Sequence, residues 1–262
     1  MTSGAVVMRD EGPVRVITLT RVPGNTLGLE ALASLRAAVD LAAGDVRVRA
    51  VVLASGLPKY FSSGLDLQEI MALPAAKRPQ AFEALLHCYR ALLGAPKPVI
   101  GALSGAAILG GWIIAMGCDW RVMASESGKA ALSEIRLGLT PTPALVTRLA
   151  ALSLDARVVK EMVLRGKTLR AAEALTAGLV DEVVPEAAVL ERALILAKQL
   201  AKLAPVAFAS LKKGLNAPFL DEELWRRSMS EFAVLIAGPE AREGMAAMRD
   251  KRRPRWEDYV RS

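Results

Sequence analysis

The 262-residue chain is long enough for one large α/β domain, or for a core domain followed by a small helical region. Apolar residues make up 53% of it and aromatic residues only 5%, which excludes a disordered chain and favours buried parallel strands covered by helices rich in alanine and leucine. The formal net charge of +7 leaves two anionic partners open, a nucleic acid and a phosphorylated cofactor.

The first half of the chain alternates between predicted strands and predicted helices. Four apolar runs predict buried strands, at residues 14–20, 50–53, 98–103 and 120–124. Helical apolar spacing lies between them, at residues 29–43, 81–93 and 109–116. This order predicts strand–helix–strand crossovers and a mostly parallel sheet.

Beyond residue 154 the pattern changes to helices. Five are predicted, at residues 156–165, 171–177, 187–204, 205–215 and 220–237. We therefore expect a core domain over residues 1–200 and a C-terminal helical region over residues 201–262. Apolar helix faces in such a region favour burial against a second copy of the chain.

The uncharged stretch at residues 98–118 is long enough to cross a bilayer, but its five glycines and its strand-like start favour a buried strand, turn and core helix. Residues 1–12 resemble no targeting peptide, and residues 259–262 match no organelle address. We expect a cytoplasmic protein without membrane insertion. Cys88 and Cys118 lack metal-ligand spacing and are interpreted as buried free thiols.

Motifs of several enzyme classes are absent. The sequence contains no GxGxxG, no GxxxxGK[ST] and no HExxH, and Ser104 lacks the preceding glycine of a nucleophile elbow. These absences remove support for Rossmann cofactors, P-loop nucleotides and serine hydrolysis. The single histidine, His87, excludes a multi-histidine metal site, and we interpret it as structural.

The densest basic cluster consists of Arg249, Lys251, Arg252, Arg253 and Arg255. No aromatic residues are interleaved with these charges, and no nucleic-acid recognition motif is found. Nucleic acid is therefore the less favoured partner, although an RNA-binding protein remains an alternative from a different functional class.

Two glycine-centred turns follow predicted strands, KYFSSGLDLQEI at residues 59–70 and SGAAILGG at residues 104–111. Each brings backbone N–H groups to the end of a strand and the start of a helix. Two such donors can converge on one oxygen, as the enolate of a thioester requires. Either turn alone is commonplace and fits a packing role equally well.

In their order, these segments resemble the enoyl-CoA hydratase/isomerase (crotonase) family over nearly the whole chain. PVIGALSGAAILGGWIIAMGCDWRVM looks like the family's glycine-rich signature, KYFSSGLDL like its first oxyanion loop and SEIRLGL like its catalytic-acid segment. AREGMAAMRDKRRPRW resembles its C-terminal helix. The resemblance implies an α/β fold, a ClpP/crotonase-like spiral of ββα units, with a C-terminal helical trimerisation region.

The resemblance also implies a site. The backbone N–H groups of Leu65 and Gly110 would form the oxyanion hole, and the family's two catalytic carboxylates fall at Ile113 and Glu134, of which only Glu134 is an acid. Residues expected near coenzyme A or its thioester arm are Lys59, Ser63, Gly64, Asp66, Leu67 and Lys251. Without the resemblance, Glu134 would be interpreted as an exposed glutamate paired with Arg136.

Replacement of the second acid by isoleucine determines the predicted reaction. Hydration needs a held and activated water, which Ile113 cannot hydrogen-bond, whereas moving a double bond needs a single base. The pattern is therefore similar to the Δ3,Δ2-enoyl-CoA isomerases. Ile113, with Trp112 and Met116 nearby in sequence, is expected to raise the pKa of Glu134 by desolvation.

Other reactions on the same oxyanion hole remain open, namely hydration, decarboxylation and thioester hydrolysis, with the acyl group on coenzyme A or on a carrier protein. The resemblance implies no separate cofactor, because coenzyme A is part of the substrate. It further implies a homotrimer or hexamer, with an acyl-CoA thioester as the small-molecule partner.

Overall fold

The computed structural model describes residues 4–259. Residues 1–3 and 260–262, which include parts of both ends considered for targeting signals, lie outside the described residues. Ten strands and eleven α-helices are found in the described part of the chain.

Six strands form the larger sheet, in the order β1-β2-β3-β5-β7-β10. They are β1 (Val6–Glu11), β2 (Val14–Leu19), β3 (Ala50–Ser55), β5 (Val99–Leu103), β7 (Trp120–Ala124) and β10 (Glu182–Val184). All neighbouring pairs are parallel except the β1–β2 hairpin, which is antiparallel. The predicted mostly parallel sheet is therefore confirmed.

Four short strands form a second sheet that sequence patterns did not predict. They are β4 (Lys59–Ser62), β6 (Gly105–Ile108), β8 (Lys129–Ala131) and β9 (Thr168–Arg170), paired in that order. The first three are parallel, and each follows a strand of the larger sheet. The chain thus repeats a strand in each sheet before a helix, which is the expected spiral of ββα units.

Helices cover both faces of the larger sheet. The first seven are α1 (Leu29–Gly44), α2 (Leu67–Ala72), α3 (Pro79–Gly94), α4 (Gly110–Met116), α5 (Pro143–Leu152), α6 (Ala156–Arg165) and α7 (Ala171–Thr176). Alternate side chains of the sheet point into two separate apolar clusters, one that includes α1, α3 and α4 and one that includes α8 (Val189–Leu200). Burial on both faces explains why these strands appear as continuous apolar runs in the sequence.

The chain ends in α9 (Pro205–Asn216), α10 (Glu222–Ala237) and α11 (Pro239–Arg249). A buried ion pair attaches α9 to the sheet, because Lys212 Nζ lies 2.7 Å from Asp119 Oδ2, which also accepts a hydrogen bond from Val99 N. Breaking such a pair leaves a buried charge without a partner. The division into 1–200 and 201–262 stays a prediction.

Predicted element bounds differ from the observed ones mainly at their ends. The predicted helix at residues 187–204 is shorter, since a 3₁₀ turn (Glu186–Ala188) precedes α8 and the helix ends at Leu200. Within residues 4–259 no single helix is long and apolar enough to cross a membrane, and one pair bent by 112° passes that test by length and composition only. Cys88 and Cys118 are buried free thiols, as predicted.

Candidate active site

The first glycine-centred turn joins β4 to α2. Gly64 adopts φ +90°, a conformation that side chains with a Cβ rarely tolerate. A Cβ at this position would lie 2.9 Å from Gly110 N and 2.9 Å from Ile108 O. Glycine is therefore required here both by the backbone angle and by the close approach of the second turn.

The second turn joins β6 to α4, which begins at Gly110. A Cβ on Gly110 would lie 3.2 Å from Leu65 N, so the amides of Leu65 and Gly110 are neighbours. Neither amide donates to a protein acceptor within the described residues. Two adjacent, unused N–H donors are the arrangement that stabilises an enolate oxygen, and the structure brings the two turns together.

A buried asparagine that the sequence interpretation missed supports the first turn. Asn25, in the connection between β2 and α1, donates from Nδ2 to Phe61 O (3.0 Å) and to Ser55 Oγ (2.8 Å). The backbone carbonyl of Asn25 accepts from Ser62 Oγ (2.7 Å), which in turn accepts from Gly64 N (3.2 Å). Asn25 therefore supports the turn that carries Leu65 through hydrogen bonds. Its only sequence signal is the turn-forming PGN.

Asn25→Ala is expected to lower kcat by about tenfold with little change in KM, because the first oxyanion donor loses its support. Asn25 has φ 50°, which asparagine tolerates better than alanine, so stability should also fall by about 2 kcal/mol. Asn25→Gly separates the two effects, since it restores backbone freedom but not the two hydrogen bonds from Nδ2. Steady-state kinetics and urea unfolding check this, and recovery of kcat in the glycine variant would contradict the positioning role.

Glu134 begins a 3₁₀ turn (Glu134–Leu137) that follows β8. Its side chain is 6% exposed, and its Oε2 is buried without a hydrogen-bond partner within residues 4–259. Burial raises the pKa of Glu134 from 4.5 to about 8. Glu134 is therefore not a surface residue paired with Arg136, but a desolvated carboxyl with an unused oxygen.

Helix α11 packs against the turn that carries Glu134. A Cβ on Gly138 would lie 2.6 Å from the carbonyl carbon of Glu240, and one on Gly244 would lie 2.4 Å from the carbonyl carbon of Leu137. These contacts leave no room for a side chain between helix and turn. The C-terminal helix thus fixes the backbone that positions Glu134.

Glu134, Ile113, Leu65 and Gly110 line one cavity with a solvent-accessible volume of about 40 Å³. The other lining residues are all apolar, and they are Leu67, Ile70, Phe82, Leu85, Leu109, Leu137, Leu139, Phe232, Ile236 and Met245. Trp112 and Met116, which the sequence placed near Glu134, are fully buried but absent from this lining. The cavity joins the candidate oxyanion hole to one carboxyl in apolar surroundings.

The raised pKa of Glu134 predicts how stability depends on pH. The folded state prefers the protonated carboxyl, so this contribution is complete below the unfolded pKa of 4.5 and is lost as pH rises through about 8. Relative to wild type, Glu134→Gln should gain about 4 kcal/mol between pH 5 and pH 9. Urea unfolding across that range measures the difference, with exposed Glu83→Gln as a control that should show no such trend.

Other predicted contacts lie towards the surface. Lys59 and Lys251 are exposed, both with positive φ, and Ser63 is half-buried with its hydroxyl donating to Gly24 O. Asp66 caps α2 by accepting from Glu69 N, and its carboxylate lies 2.7 Å from Arg21. Asp66 is thereby held by the protein itself, and roles for these residues in binding coenzyme A stay predictions.

The C-terminal basic cluster is partly neutralised by neighbouring carboxylates. Arg249 pairs with Asp250 and Arg252 pairs with Glu243, at 2.7 and 2.5 Å. His87 is exposed on α3, away from the cavity lining. Within residues 4–259 no group of three or more His, Cys, Asp or Glu side chains could hold a metal ion.

A model of the enoyl-CoA hydratase/isomerase family matches residues 9–259. The chain belongs to this family. A carnitinyl-CoA dehydratase from Salmonella typhi is 33% identical over 254 residues, covering 94% of this chain and 95% of the relative. The predicted family membership is therefore confirmed.

Solved structures of this family superpose along nearly the whole chain. A carnitinyl-CoA hydratase from Mycobacterium avium is 30% identical, with a TM-score of 0.85 and coverage of 98% of this chain and 100% of that one. The human mitochondrial Δ3-Δ2-enoyl-CoA isomerase is 25% identical, with a TM-score of 0.89 and coverage of 94% and 97%. The crotonase fold is confirmed, and the protein is a coenzyme A thioester enzyme of this family.

Proposed function

We propose that the protein is an isomerase that converts 3-enoyl-CoA to 2-enoyl-CoA, with Glu134 as its sole acid and base. The observation that supports this most is a cavity that is lined by Glu134 and by the residues of the two free amides. No second carboxylate is found among the described residues that line it. A double-bond shift adds and removes no atoms, so it requires no bound water.

The reaction begins with the carboxylate of Glu134 taking a proton from C2 of the substrate, which is acidic because it lies between the thioester and the double bond. The resulting enolate oxygen accepts hydrogen bonds from Leu65 N and Gly110 N. Glu134 then returns the proton to C4, and the electron pair re-forms the bonds as a conjugated enoyl thioester. One desolvated carboxyl with a pKa near working pH suits both transfers.

Ile113 supports isomerisation over addition of water. Its side chain is 1% exposed and lies in the lining of the same cavity as Glu134. A water held between the two residues would have one polar partner instead of two, which makes it costly to bury.

Hydration or dehydration is the second candidate, because the curated relatives at 32–33% identity are named carnitinyl-CoA dehydratases. A variant separates the candidates. Ile113→Glu should add a second carboxylate and give crotonyl-CoA hydration at least about tenfold above wild type. Ile113→Gln is the control that offers hydrogen bonds without an acid, and a folded Ile113→Glu variant that stays inert would count against the placement of Ile113.

The direct test is an assay of the wild-type protein with trans-3-hexenoyl-CoA, followed by the absorbance of the conjugated product. Crotonyl-CoA hydration is measured in parallel at the same enzyme concentration. We expect conjugation to exceed hydration by at least about a hundredfold, which corresponds to about 2.7 kcal/mol between the two barriers. Efficient hydration without conjugation would refute the proposal.

We also propose a homotrimer or hexamer as the working assembly. Several apolar side chains of α9 are exposed in the single chain, with Val206 at 82%, Leu215 at 77% and Leu211 at 70%. Apolar surface of this kind is typical of a face that a second copy covers.

A further inference from the structure

Two stacked phenylalanines form part of the lining of the cavity that also contains Glu134, Leu65 and Gly110. Phe82 on α3 and Phe232 on α10 are each 2% exposed, and their rings stack with centroids 3.7 Å apart and planes 14° from parallel. Ile236, one turn beyond Phe232, and Met245 of α11 complete this wall. The wall therefore occupies space in the cavity that an acyl chain longer than a few carbons would need.

The cavity is small. A volume of about 40 Å³ available to water corresponds to about three water molecules, so an acyl group displacing them adds only a few carbons beyond the thioester. Longer chains would have to separate the two rings.

The N-terminal half of α10, which precedes Phe232, is held against α3 by several contacts. Trp225 donates from Nε1 to Phe219 O (2.8 Å) and contacts Tyr89 of α3 at 5.7 Å between ring centroids. Arg90 of α3 forms an ion pair with Glu222 at the start of α10 and lies over the Trp225 ring. These contacts hold α10 against α3, so separating the rings would strain a packed interface.

The wall also has no side chain that could bind a charged acyl tail. Apart from Glu134, the described lining has no ionisable or polar side chain, so a terminal carboxylate would be buried without a cation. A trimethylammonium group, such as a carnitinyl group carries, is bulky and is favoured by the open face of an aromatic ring. The facing surfaces of Phe82 and Phe232 are already covered by each other.

We propose that the Phe82–Phe232 stack restricts this enzyme to short, uncharged acyl groups of about four to six carbons. The proposal rests on the isomerase function for its turnover measurements but not for its binding measurements. In an open apolar tunnel each added methylene would improve kcat/KM by about fourfold. With the stack in place, each methylene beyond six carbons should lower kcat/KM instead of raising it.

Turnover is measured with 3-enoyl-CoA substrates of four, six, eight and ten carbons. Wild type should show kcat/KM at least about tenfold lower at ten carbons than at six, and Phe232→Ala should raise the ten-carbon value at least about tenfold. Phe232→Leu is the milder variant in case the alanine variant unfolds. Phe208→Ala is the matched control, because Phe208 contacts Trp120 outside the cavity lining and should leave the profile unchanged.

Binding is measured by calorimetry with the saturated butanoyl, hexanoyl, octanoyl and decanoyl thioesters, which need no catalysis. Kd should weaken beyond hexanoyl in wild type and tighten with length in Phe232→Ala. Succinyl-CoA and 4-(trimethylammonio)butanoyl-CoA should bind at least about tenfold more weakly than butanoyl-CoA. Tightening along the series in wild type, tight binding of either charged thioester, or no binding of any acyl thioester would overturn the proposal. Absent turnover with the predicted binding order would refute the isomerase function alone.

Discussion

Replacing Glu134 with glutamine is expected to lower kcat for conjugation of a 3-enoyl-CoA by about 10²–10⁴-fold while KM changes little. Glutamine fills the same space but cannot accept and return a proton. Ground-state binding is retained because the amides of Leu65 and Gly110 are untouched. Exposed Glu83→Gln is the matched control, and wild-type rates in Glu134→Gln would exclude Glu134 as the acid and base.

The wild-type pH profile tests the same residue independently. The base form is the carboxylate, and burial raises the pKa of Glu134 to about 8, so kcat/KM should rise with pH and level off above about pH 8. At pH 7 about a tenth of the free enzyme is in the active form. A profile that is flat between pH 6 and pH 9 would contradict a single desolvated carboxyl base.

The burial of Glu134 that supports activity also lowers the stability of the folded state. A carboxyl with an unused oxygen in an apolar cavity destabilises the folded state at alkaline pH, and the packing of α11 against its turn prevents it from moving to solvent. If Glu134→Gln loses activity but is more stable than wild type at pH 9, then Glu134 both carries the activity and destabilises the folded state. Loss of both would indicate that Glu134 instead supports the fold.

The four central strands of the larger sheet were predictable because burial on both faces makes apolar runs such as Ala50–Ser55 and Trp120–Ala124. The edge strands β1 and β10 are partly exposed and were not predicted. The second sheet was not, because its strands have three or four residues and Gly105–Ile108 has the composition of a glycine turn. Helix α11 was not predicted from apolar spacing, and only the resemblance to a family indicated it.

The prediction of the candidate site depended more on the resemblance to the family than on the residues taken alone. Nothing around Glu134 in the sequence distinguishes a buried acid from an exposed one, since its desolvation comes from side chains as distant as Phe232 and Met245. Asn25 lies in the connection between a predicted strand and a predicted helix, and Phe82 lies on a predicted helix. Their partners are separated from them by tens to more than a hundred residues, and such pairings appear only in the folded chain.

The second large effect is expected for Gly64→Ala. Its Cβ would lie 2.9 Å from Gly110 N at a backbone angle of φ +90°, so the two turns must separate and the two amides can no longer bind one oxygen. Loss of an oxyanion donor lowers kcat by about 10²–10³-fold. Gly110→Ala should be milder, because its nearest new contacts are 3.1 Å or longer and one of them is the flexible end of Leu85.

Deuterium exchange at C2 of butanoyl-CoA isolates this effect, since it needs the enolate but no double bond. Gly64→Ala should slow exchange as much as it slows conjugation, while the binding of butanoyl-CoA changes by less than about tenfold. Gly214→Ala, in α9 with open space around the new methyl group, should leave both rates unchanged. Exchange at the wild-type rate in a folded Gly64→Ala variant would mean that the enolate oxygen is held by groups other than Leu65 N and Gly110 N.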